Sequence, residues 1–168
     1  IAPREKSTSR RERYLLRYEY SCSAMVRVQV APASEASAEL LAAFHRLIPQ
    51  LSSSSVPISA NQLAEMIAAE STTVFVATRA QEIVGLLTLV VFRIPTGMRA
   101  WIEDVVVDES ARGAGVGESL NRAALDEARR KGARTVDLTS RPSRAAANRL
   151  YQRLGFVARE TNVYRYEL

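Results

Sequence analysis

The sequence has little of what disulfide frameworks and metal centres need. Its 168 residues include a single cysteine, Cys22, and a single histidine, His45. One cysteine cannot form an internal disulfide, and no cluster of histidines and cysteines is available to bind a metal ion. No apolar run is long enough to span a bilayer, and the polar first residues lack the apolar core of a signal peptide. We therefore expect a cytoplasmic protein without a metal ion or a membrane segment.

The positive charge is concentrated near the N-terminus. The net charge is +5, and residues 1–24, with six basic and three acidic side chains, carry +3 of it. We interpret residues 1–24 as a basic leader or arm, either appended or natural, and residues 25–168 as one domain. The arm is expected to be solvated. Binding of nucleic-acid phosphates by this arm is the alternative, and nucleic acid is not an expected partner of the domain.

Hydrophobic periodicity predicts that the first half of the chain contains one strand, then two helices, then three strands. Alternating valines at 26, 28 and 30 predict the first strand, and apolar residues at helical spacing between 40 and 48 predict a helix that begins at Ser34 or Glu35. Ser59 and Gln62 have the spacing of a capping box and predict the start of the second helix. Runs rich in β-branched residues at 73–78, 83–92 and 101–108 predict an antiparallel meander.

The second half is predicted to alternate between helices and strands. We expect a helix over 115–131, a strand over 135–139 and a helix from Ser143 to Leu154 that ends at Gly155. Residues 156–168 are expected to supply one or two closing strands, and an edge strand with Tyr164 and Tyr166 leaves a homodimer open. The order β-α-α-β-β-β-α-β-α-β-β indicates an α/β (α+β) domain.

A glycine-rich turn between a strand and a helix is a candidate anion site. In the segment Arg112-Gly113-Ala114-Gly115-Val116-Gly117, the glycines let the backbone approach a ligand, and the free N–H groups of the helix start attract negative charge. A Walker loop is excluded because no Gly-Lys-Ser/Thr follows, and the spacing does not fit a dinucleotide fingerprint. A cofactor pyrophosphate and a turn without a ligand are the two interpretations that stay open.

Two segments together resemble a known family. The sequence V-V-V-D-E-S-A-R-G-A-G-V-G resembles the R-x-x-G-x-G signature of the GNAT superfamily of acyl-CoA-dependent N-acyltransferases. Downstream, R-A-A-A-N-R-L-Y-Q-R-L-G-F resembles the second signature of that family, A-x-x-L-Y-x-x-x-G-F. The resemblance covers about residues 25–168 and implies a mixed, mostly antiparallel central sheet of six to seven strands flanked by about four helices. It implies acetyl-CoA as the acyl donor.

The resemblance also implies which residues bind the donor. The pantetheine arm would pair with the strand end, and the pyrophosphate would bind the amides of the loop and helix start. Arg112 could contact a phosphate or brace the loop. Many members have an asparagine where this chain has Arg144, and Asn148 is the candidate to replace it. The implied donor-binding residues are Val105, Val106, Val107, Arg112, Gly113, Ala114, Gly115, Val116, Gly117, Glu118 and Asn148.

Acyl transfer to an amine needs a base and an acid. Tyr151 matches the tyrosine that protonates the departing sulfur in the family, and simple packing is the alternative. The stretch W-I-E-D-V-V-V resembles diamine and polyamine N-acetyltransferases, which favours Glu103 as general base, with Asp104 orienting the acceptor or bracing the strand. Strict alternation would place Glu103 on one face with Trp101, Val105 and Val107, and Asp104 on the other. The resemblance leaves a second arrangement open, because strands of the family often bulge here.

The sequence thus predicts an N-acetyltransferase that acts by direct attack of a primary amine, on a small molecule or a peptide. A catalytically silent acyl-CoA-binding regulatory module is the competing hypothesis, because the usual asparagine is replaced and the acceptor is unassigned. Acceptor sites in this fold come from the first two helices and the neighbouring loops, and the sequence does not identify the amine.

Overall fold

The structure, a computed structural model, describes residues 27–52 and 54–168. Within these residues, the chain forms five strands and four α-helices, with a short 3₁₀ turn at Glu109–Ala111. In chain order these are β1 (Gln29–Pro32), α1 (Ala38–Leu51), α2 (Ala60–Ala68), β2 (Thr72–Arg79), β3 (Glu82–Ile94), β4 (Gly97–Val107), α3 (Val116–Arg130), β5 (Val136–Leu138) and α4 (Ala145–Arg153).

The five strands form one mixed sheet in the order β1-β2-β3-β4-β5. Strands β1 to β4 pair antiparallel, and β5 pairs parallel with β4. The predicted meander is confirmed, with the β2–β3 hairpin turning at Ala80 and Gln81, both at positive φ. The predicted fold class, a mixed and mostly antiparallel sheet flanked by about four helices, is also confirmed.

The helices begin where local capping is available. Ser37 Oγ accepts a hydrogen bond from Leu40 N (3.1 Å), so α1 begins after Ser37 and not at Ser34 or Glu35 as predicted. The capping box of α2 is confirmed, since the side chains of Ser59 and Gln62 each accept a hydrogen bond from the other's backbone N–H.

Both faces of the sheet are covered. On one face, α3 packs against side chains that include Leu87, Leu89 and Ile102, and on the other, α1 and α2 pack against side chains that include Leu86 and Val106. Burial of both faces removes the apolar surface from water and supplies the main driving force for folding. The start of α3 is thereby fixed at the end of β4.

Gly85 on β3 allows α3 to approach the sheet closely. A Cβ atom at this position would lie 3.0 Å from both Leu120 Cδ1 and Val116 Cγ1, and 3.2 Å from Val106 O. Any side chain would push α3 away from β3. The position of the α3 N-terminus therefore depends on the absence of a side chain at Gly85.

The prediction of closing strands over 156–168 is wrong, since no strand forms there and the described sheet has five strands rather than six to seven. The large apolar side chains from Val157 to Leu168 are exposed. Alternation of side chains indicates that a segment can be extended, but a strand also needs a partner backbone, and no described strand pairs with this segment. Pairing of Tyr164 and Tyr166 with a second subunit stays a prediction.

Two predictions fall on residues outside the described part of the chain. They are the basic arm 1–24 and the start of the first strand at 25–26. In the described part, no helix is both long enough and apolar enough to cross a membrane.

Candidate functional site

The loop before α3 offers a row of unused backbone donors. Gly115 is the N-cap residue of α3 at φ 78°, and no side chain caps the helix. The amides of Gly113 and of the four residues 115–118 donate to no acceptor among the described residues, whereas Arg112 N and Ala114 N donate to Glu109 O and Ala111 O (both 3.4 Å). Free N–H groups at the positive end of a helix dipole form an anion site.

The glycines keep this row of amides accessible. A Cβ atom at Gly113 or Gly115 would meet no atom within 4 Å, so the space beside both residues is open. Both have positive φ, 80° and 78°, which is unfavourable for residues with a side chain. A phosphate group can therefore reach the amides. We call residues 112–118 the anion cradle.

The sheet opens next to the anion cradle. Strand β5 pairs with β4 only from Ala100 to Ile102, so the edge of β4 over residues 103–107 has no strand partner among the described residues. Arg112 Nε donates to Val107 O (3.4 Å), which braces the loop against the end of β4. An unpaired strand edge can bind an extended amide-containing chain as an added strand.

A β-bulge in β4 begins directly after Glu103 and contains Asp104, the second candidate carboxylate. Val106 pairs with Leu86 and Glu103 with Thr88, so Asp104 and Val105 lie together opposite Leu87. Asp104 has φ 49°, in the left-handed region that costs a non-glycine residue about 1–2 kcal/mol. Strain of this kind is found at functional sites, where the surrounding structure maintains it.

The bulge corrects the predicted faces of β4. The side chains of Val105 and Val107 pack with Ile102 on the α3 face, whereas Glu103 follows Ile102 directly and so lies on the opposite face. The prediction that Glu103 shares a face with Val105 and Val107 is wrong, because the extra residue shifts the alternation by one. Both Glu103 and Asp104 are exposed.

Tyr151 lies on α4, close to the cradle. Its neighbour Leu150 contacts the start of α3, since a Cβ atom at Gly117 would lie 3.2 Å from Leu150 Cδ2. The Tyr151 ring is half-buried and packs edge-to-face on Phe156 at 5.8 Å. Burial raises the pKa of the Tyr151 hydroxyl above its ordinary value, while the positive charge of Arg144 acts in the opposite direction. The hydroxyl therefore keeps its proton at neutral pH and can donate it.

Arg144 and Asn148 both make contacts within the protein. Arg144 Nη2 donates to Leu51 O (2.9 Å) and so connects the start of α4 to the end of α1. Asn148 Nδ2 donates to Arg141 O (3.1 Å) and holds the loop before α4. The side-chain oxygen of Asn148 is left for a ligand.

The ion pair of Arg46 with Asp108, near the anion cradle, was not predicted from the sequence. Asp108 is buried and accepts hydrogen bonds from Arg46, from Ser110 N (3.0 Å) and from Ser110 Oγ (2.7 Å). Gln50 joins the same network, because its side-chain oxygen accepts from Glu109 N (3.1 Å). The signal in the sequence was an acidic residue at the end of a buried strand, but nothing local identified Arg46 as its partner.

The arrangement fits an acyl-CoA better than a metal ion. A diphosphate fits the row of free amides and an extended pantetheine fits the open edge of β4, and the helix that carries Tyr151 contacts the start of α3 through Leu150. In the described residues, no group of three or more His, Cys, Asp and Glu side chains is placed to hold a metal ion. Fold and site together define the class of acyl-CoA-dependent transferases.

Comparison with known proteins gives the family. The family model for the acetyltransferase (GNAT) family matches residues 38–156, so the chain belongs to this family. The protein is an acetyl-CoA-dependent N-acetyltransferase, with acetyl-CoA as the acyl donor and an amine-type acceptor. No curated protein matches the sequence.

Solved structures show the same fold. An acetyltransferase from Trypanosoma brucei is 28% identical, with a TM-score of 0.68 over 84% of this chain and 100% of that one. A transcriptional regulator from Bacillus halodurans is 26% identical, with a TM-score of 0.69 over 84% and 100%. An aminoglycoside acetyltransferase from an uncultured soil metagenomic sample is 24% identical, with a TM-score of 0.73 over 84% and 95%, and shows the fold alone.

Proposed function

We propose that the protein transfers the acetyl group to a primary amine of a small molecule or a peptide by direct attack in a ternary complex. The observation that carries this proposal is the row of unused amides at Gly113 and at 115–118, which lies at the end of the unpaired edge of β4. Acetyl-CoA supplies the activated thioester when it is bound. The protein supplies binding, orientation and two proton transfers.

The anion cradle and the edge of β4 are the proposed donor site. The amides of the cradle bind the pyrophosphate, and the backbone of Val105, Val106 and Val107 pairs with the pantetheine arm. Arg112 braces the loop through Val107 O and adds positive charge beside the phosphates. Asn148 offers its side-chain oxygen to the pantetheine, because its amide nitrogen is already used on Arg141 O.

Glu103 and Tyr151 are the proposed base and acid. A primary amine with an ordinary pKa of about 10 is mostly protonated at neutral pH, so its ammonium form first loses one proton to water. Glu103 accepts the second proton, which the nitrogen loses as the amide forms. The amine nitrogen forms the bond to the acetyl carbon, the carbon–sulfur bond breaks, and Tyr151 gives its proton to the sulfur. The products are the N-acetyl amide and free CoA thiol, and the proton held by Glu103 returns to Tyr151 through solvent. The contact of Leu150, the neighbour of Tyr151 on α4, with the start of α3 at Gly117 supports the role of Tyr151.

The kinetics of two variants test the mechanism. We expect Tyr151→Phe to lower kcat by about 10²–10⁴-fold while the acetyl-CoA Kd stays within about twofold, because only proton donation is lost. Glu103→Gln should lower kcat by a similar factor, because the group that accepts the amine proton is lost. Tyr164→Phe, on an exposed tyrosine, is the matched control and should leave kcat unchanged. Equal losses in kcat and in donor binding for Tyr151→Phe would contradict the assignment.

A silent acyl-CoA-binding regulatory module is the second candidate. It is favoured by Arg144 at the position of the usual asparagine and by the fold shared with a protein named as a transcriptional regulator. Release of free CoA thiol over a broad panel of amines distinguishes the two. Tight acetyl-CoA binding without thiol release in the presence of any amine would favour the silent module.

We further propose that residues 25–168 belong to the N-acetyltransferase domain and that the basic arm 1–24 is dispensable for catalysis. The family match lies entirely within 38–156. A chain that begins at residue 25 should keep kcat and the acetyl-CoA Kd of the full chain. If deletion abolishes salt-dependent binding to DNA or RNA that the full chain shows, the arm has a nucleic-acid role of its own.

A further inference from the structure

A cavity on the α1 face of the sheet has a mostly apolar wall. It is open to solvent on one side and has a volume of about 230 Å³ between α1, the loop 55–58, α2 and the centre of the sheet. An apolar cavity of roughly 150 Å³ is enough to hold a benzene molecule. The apolar lining comes from Phe44, Ile48, Val56, Pro57, Ile58 and Met66.

Two of the polar residues in the wall are already paired. The lining also includes His45, Ser55, Thr88 and Asp104. His45 Nε2 donates to Ile58 O (2.7 Å), and Ser55 Oγ donates to Ser52 O (2.9 Å). These bonds shape the wall and leave the hydroxyl of Thr88 and the carboxylate of Asp104 for a ligand.

Among the described residues, Asp104 supplies the only acidic side chain of the lining. Within the part of the chain that the structure describes, no side-chain hydrogen bond or ion pair involves its carboxylate, which faces the pocket. The β-bulge and the positive φ of Asp104 place this residue at the cavity instead of leaving it in regular alternation. A single carboxylate in an apolar cavity selects a ligand with one cationic group and an apolar body.

From this geometry, we propose that the acceptor is a primary amine on an aromatic or branched aliphatic body. The ammonium binds Asp104 and the body fills the cavity, next to Glu103 on the same strand. This inference rests on the proposed function and adds the chemical class of the acceptor. The resemblance of β4 to polyamine acetyltransferases covers the strand, whereas the cavity wall lacks the further carboxylates that a polyamine would need.

Other amines would lose solvation in this cavity without compensation. A second ammonium group of a polyamine, or the hydroxyl groups of an amino sugar, would lie against Phe44, Ile48 and Met66, which offer no side-chain hydrogen-bond partner. Burial of a polar group without a hydrogen bond is unfavourable, and burial of an unpaired charge is more so. A phenyl ring in the same place would instead gain about 10- to 100-fold in affinity from its removal from water.

The first experiment compares four acceptors on the full chain. Release of free CoA thiol is measured with 2-phenylethylamine, ethylamine, spermidine and glucosamine. We expect kcat/KM for 2-phenylethylamine to exceed that for ethylamine by about 10- to 100-fold and to exceed those for spermidine and glucosamine. Preference for spermidine or glucosamine would overturn the inference and leave the proposed function intact.

The second experiment measures binding alone, by calorimetry with the CoA-bound protein. Asp104→Asn should weaken the binding of 2-phenylethylamine at least about tenfold and leave the Kd of the neutral 2-phenylethanol unchanged, because only the charge of the side chain is lost. Met66→Gln should reduce the preference for 2-phenylethylamine over ethylamine. Asp126→Asn, which removes a carboxylate from the exposed face of α3, is the control.

The two experiments separate two kinds of failure. Asp104-dependent binding of 2-phenylethylamine without thiol release from any amine would overturn the proposed function and support the acceptor site. Binding of 2-phenylethylamine that is equal in the wild type and in Asp104→Asn would overturn the acceptor site, whatever the activity.

Discussion

Arg144 Nη2 donates a hydrogen bond to Leu51 O at 2.9 Å, across 93 residues of sequence. Leu51 ends α1, the helix that forms one wall of the acceptor cavity, and Arg144 precedes α4, the helix that carries Tyr151. The same guanidinium acts on the pKa of Tyr151 through its charge. Arg144 thus connects the proposed acceptor side to the proposed proton donor, at a position where the resemblance to the family predicted an asparagine.

Removal of the Arg144 charge should move the alkaline limb of the pH–rate profile. Tyr151 must be protonated to act as an acid, so kcat falls as the pH rises through its pKa. Since Arg144 lowers that pKa, Arg144→Gln should raise it further and shift the alkaline limb to higher pH. Arg144→Lys should keep the limb close to its wild-type position, because the charge stays. The measurement is kcat against pH with both substrates saturating.

Arg149→Gln is the matched control for this series. Arg149 is exposed on the same helix and its removal changes the net charge of the protein equally. It should leave the alkaline limb unchanged. A shift to lower pH in Arg144→Gln, or equal shifts in the two variants, would contradict the role of Arg144.

Substitutions at two glycines allow the effect of backbone strain to be measured separately from the effect on ligand binding. Gly115 (φ 78°) and Gly132 (φ 77°) lie at opposite ends of α3, and a Cβ atom would meet nothing within 4 Å at either. Alanine at either position should therefore cost a similar free energy of unfolding, about 1–2 kcal/mol. Only Gly115→Ala places a methyl group over the anion cradle.

We therefore expect Gly115→Ala to weaken acetyl-CoA binding by about 10- to 100-fold, the loss of one charge-assisted hydrogen bond. Gly132→Ala should bind acetyl-CoA as the wild type does. Calorimetric titration and a urea melt of each variant give the two quantities. Equal weakening in both variants would place the pyrophosphate elsewhere.

The features that sequence reasoning predicted are those that local chemistry determines. The capping box of Ser59 and Gln62 spans three residues, and its two hydrogen bonds need no tertiary partner. Glycines at 113 and 115 indicate a turn with free amides, because few other residues adopt positive φ without strain. The meander and the helix after the glycine turn follow from periodicity in the same way.

The features that it missed depend on partners far away in sequence. Alternation along β4 gave no sign of the bulge at Asp104, because a bulge is defined by the pairing with β3. The ion pair of Arg46 with Asp108 joins residues 62 apart, and the hydrogen bond of Arg144 joins residues 93 apart. The acceptor cavity is assembled from four elements, so its apolar character appears only when they are brought together.

Gly85 should couple the stability of the fold to donor binding. Alanine at this position needs no unusual φ, but its methyl group would press on Val116 and Leu120 and displace the start of α3. We expect Gly85→Ala to lower the free energy of unfolding by about 1–3 kcal/mol and to weaken acetyl-CoA binding, because the cradle moves with α3.

The double variant Gly85→Ala/Val116→Ala tests the cause of this effect. Removal of the Val116 methyl groups makes room for the new one, so the double variant should lose less stability than the sum of the single losses. If the loss of stability that urea melts give for the double variant equals the sum of the two single losses, the contact with Val116 is not the cause.

The last prediction concerns acid stability and the buried carboxylate of Asp108. Hydrogen bonds from Ser110, together with the charge of Arg46, hold the pKa of Asp108 below its ordinary value. The stabilisation is therefore complete above the ordinary aspartate pKa near 3.8 and is lost as the pH falls through the lowered pKa of the folded state. At neutral pH, Asp108→Asn should lower the free energy of unfolding by about 1.5–3 kcal/mol, the value of hydrogen bonds to a charged group.

Urea melts between pH 7 and pH 3 measure this dependence. The difference in stability between wild type and Asp108→Asn should be constant from pH 7 to about pH 5 and should shrink as the pH falls below 4, since protonation of Asp108 makes the two proteins alike. Glu109→Gln, which removes the adjacent exposed carboxylate, is the control variant in the same melts. A difference that stays the same at pH 3 and pH 7 would mean that Asp108 stabilises the fold by its shape and not by its charge.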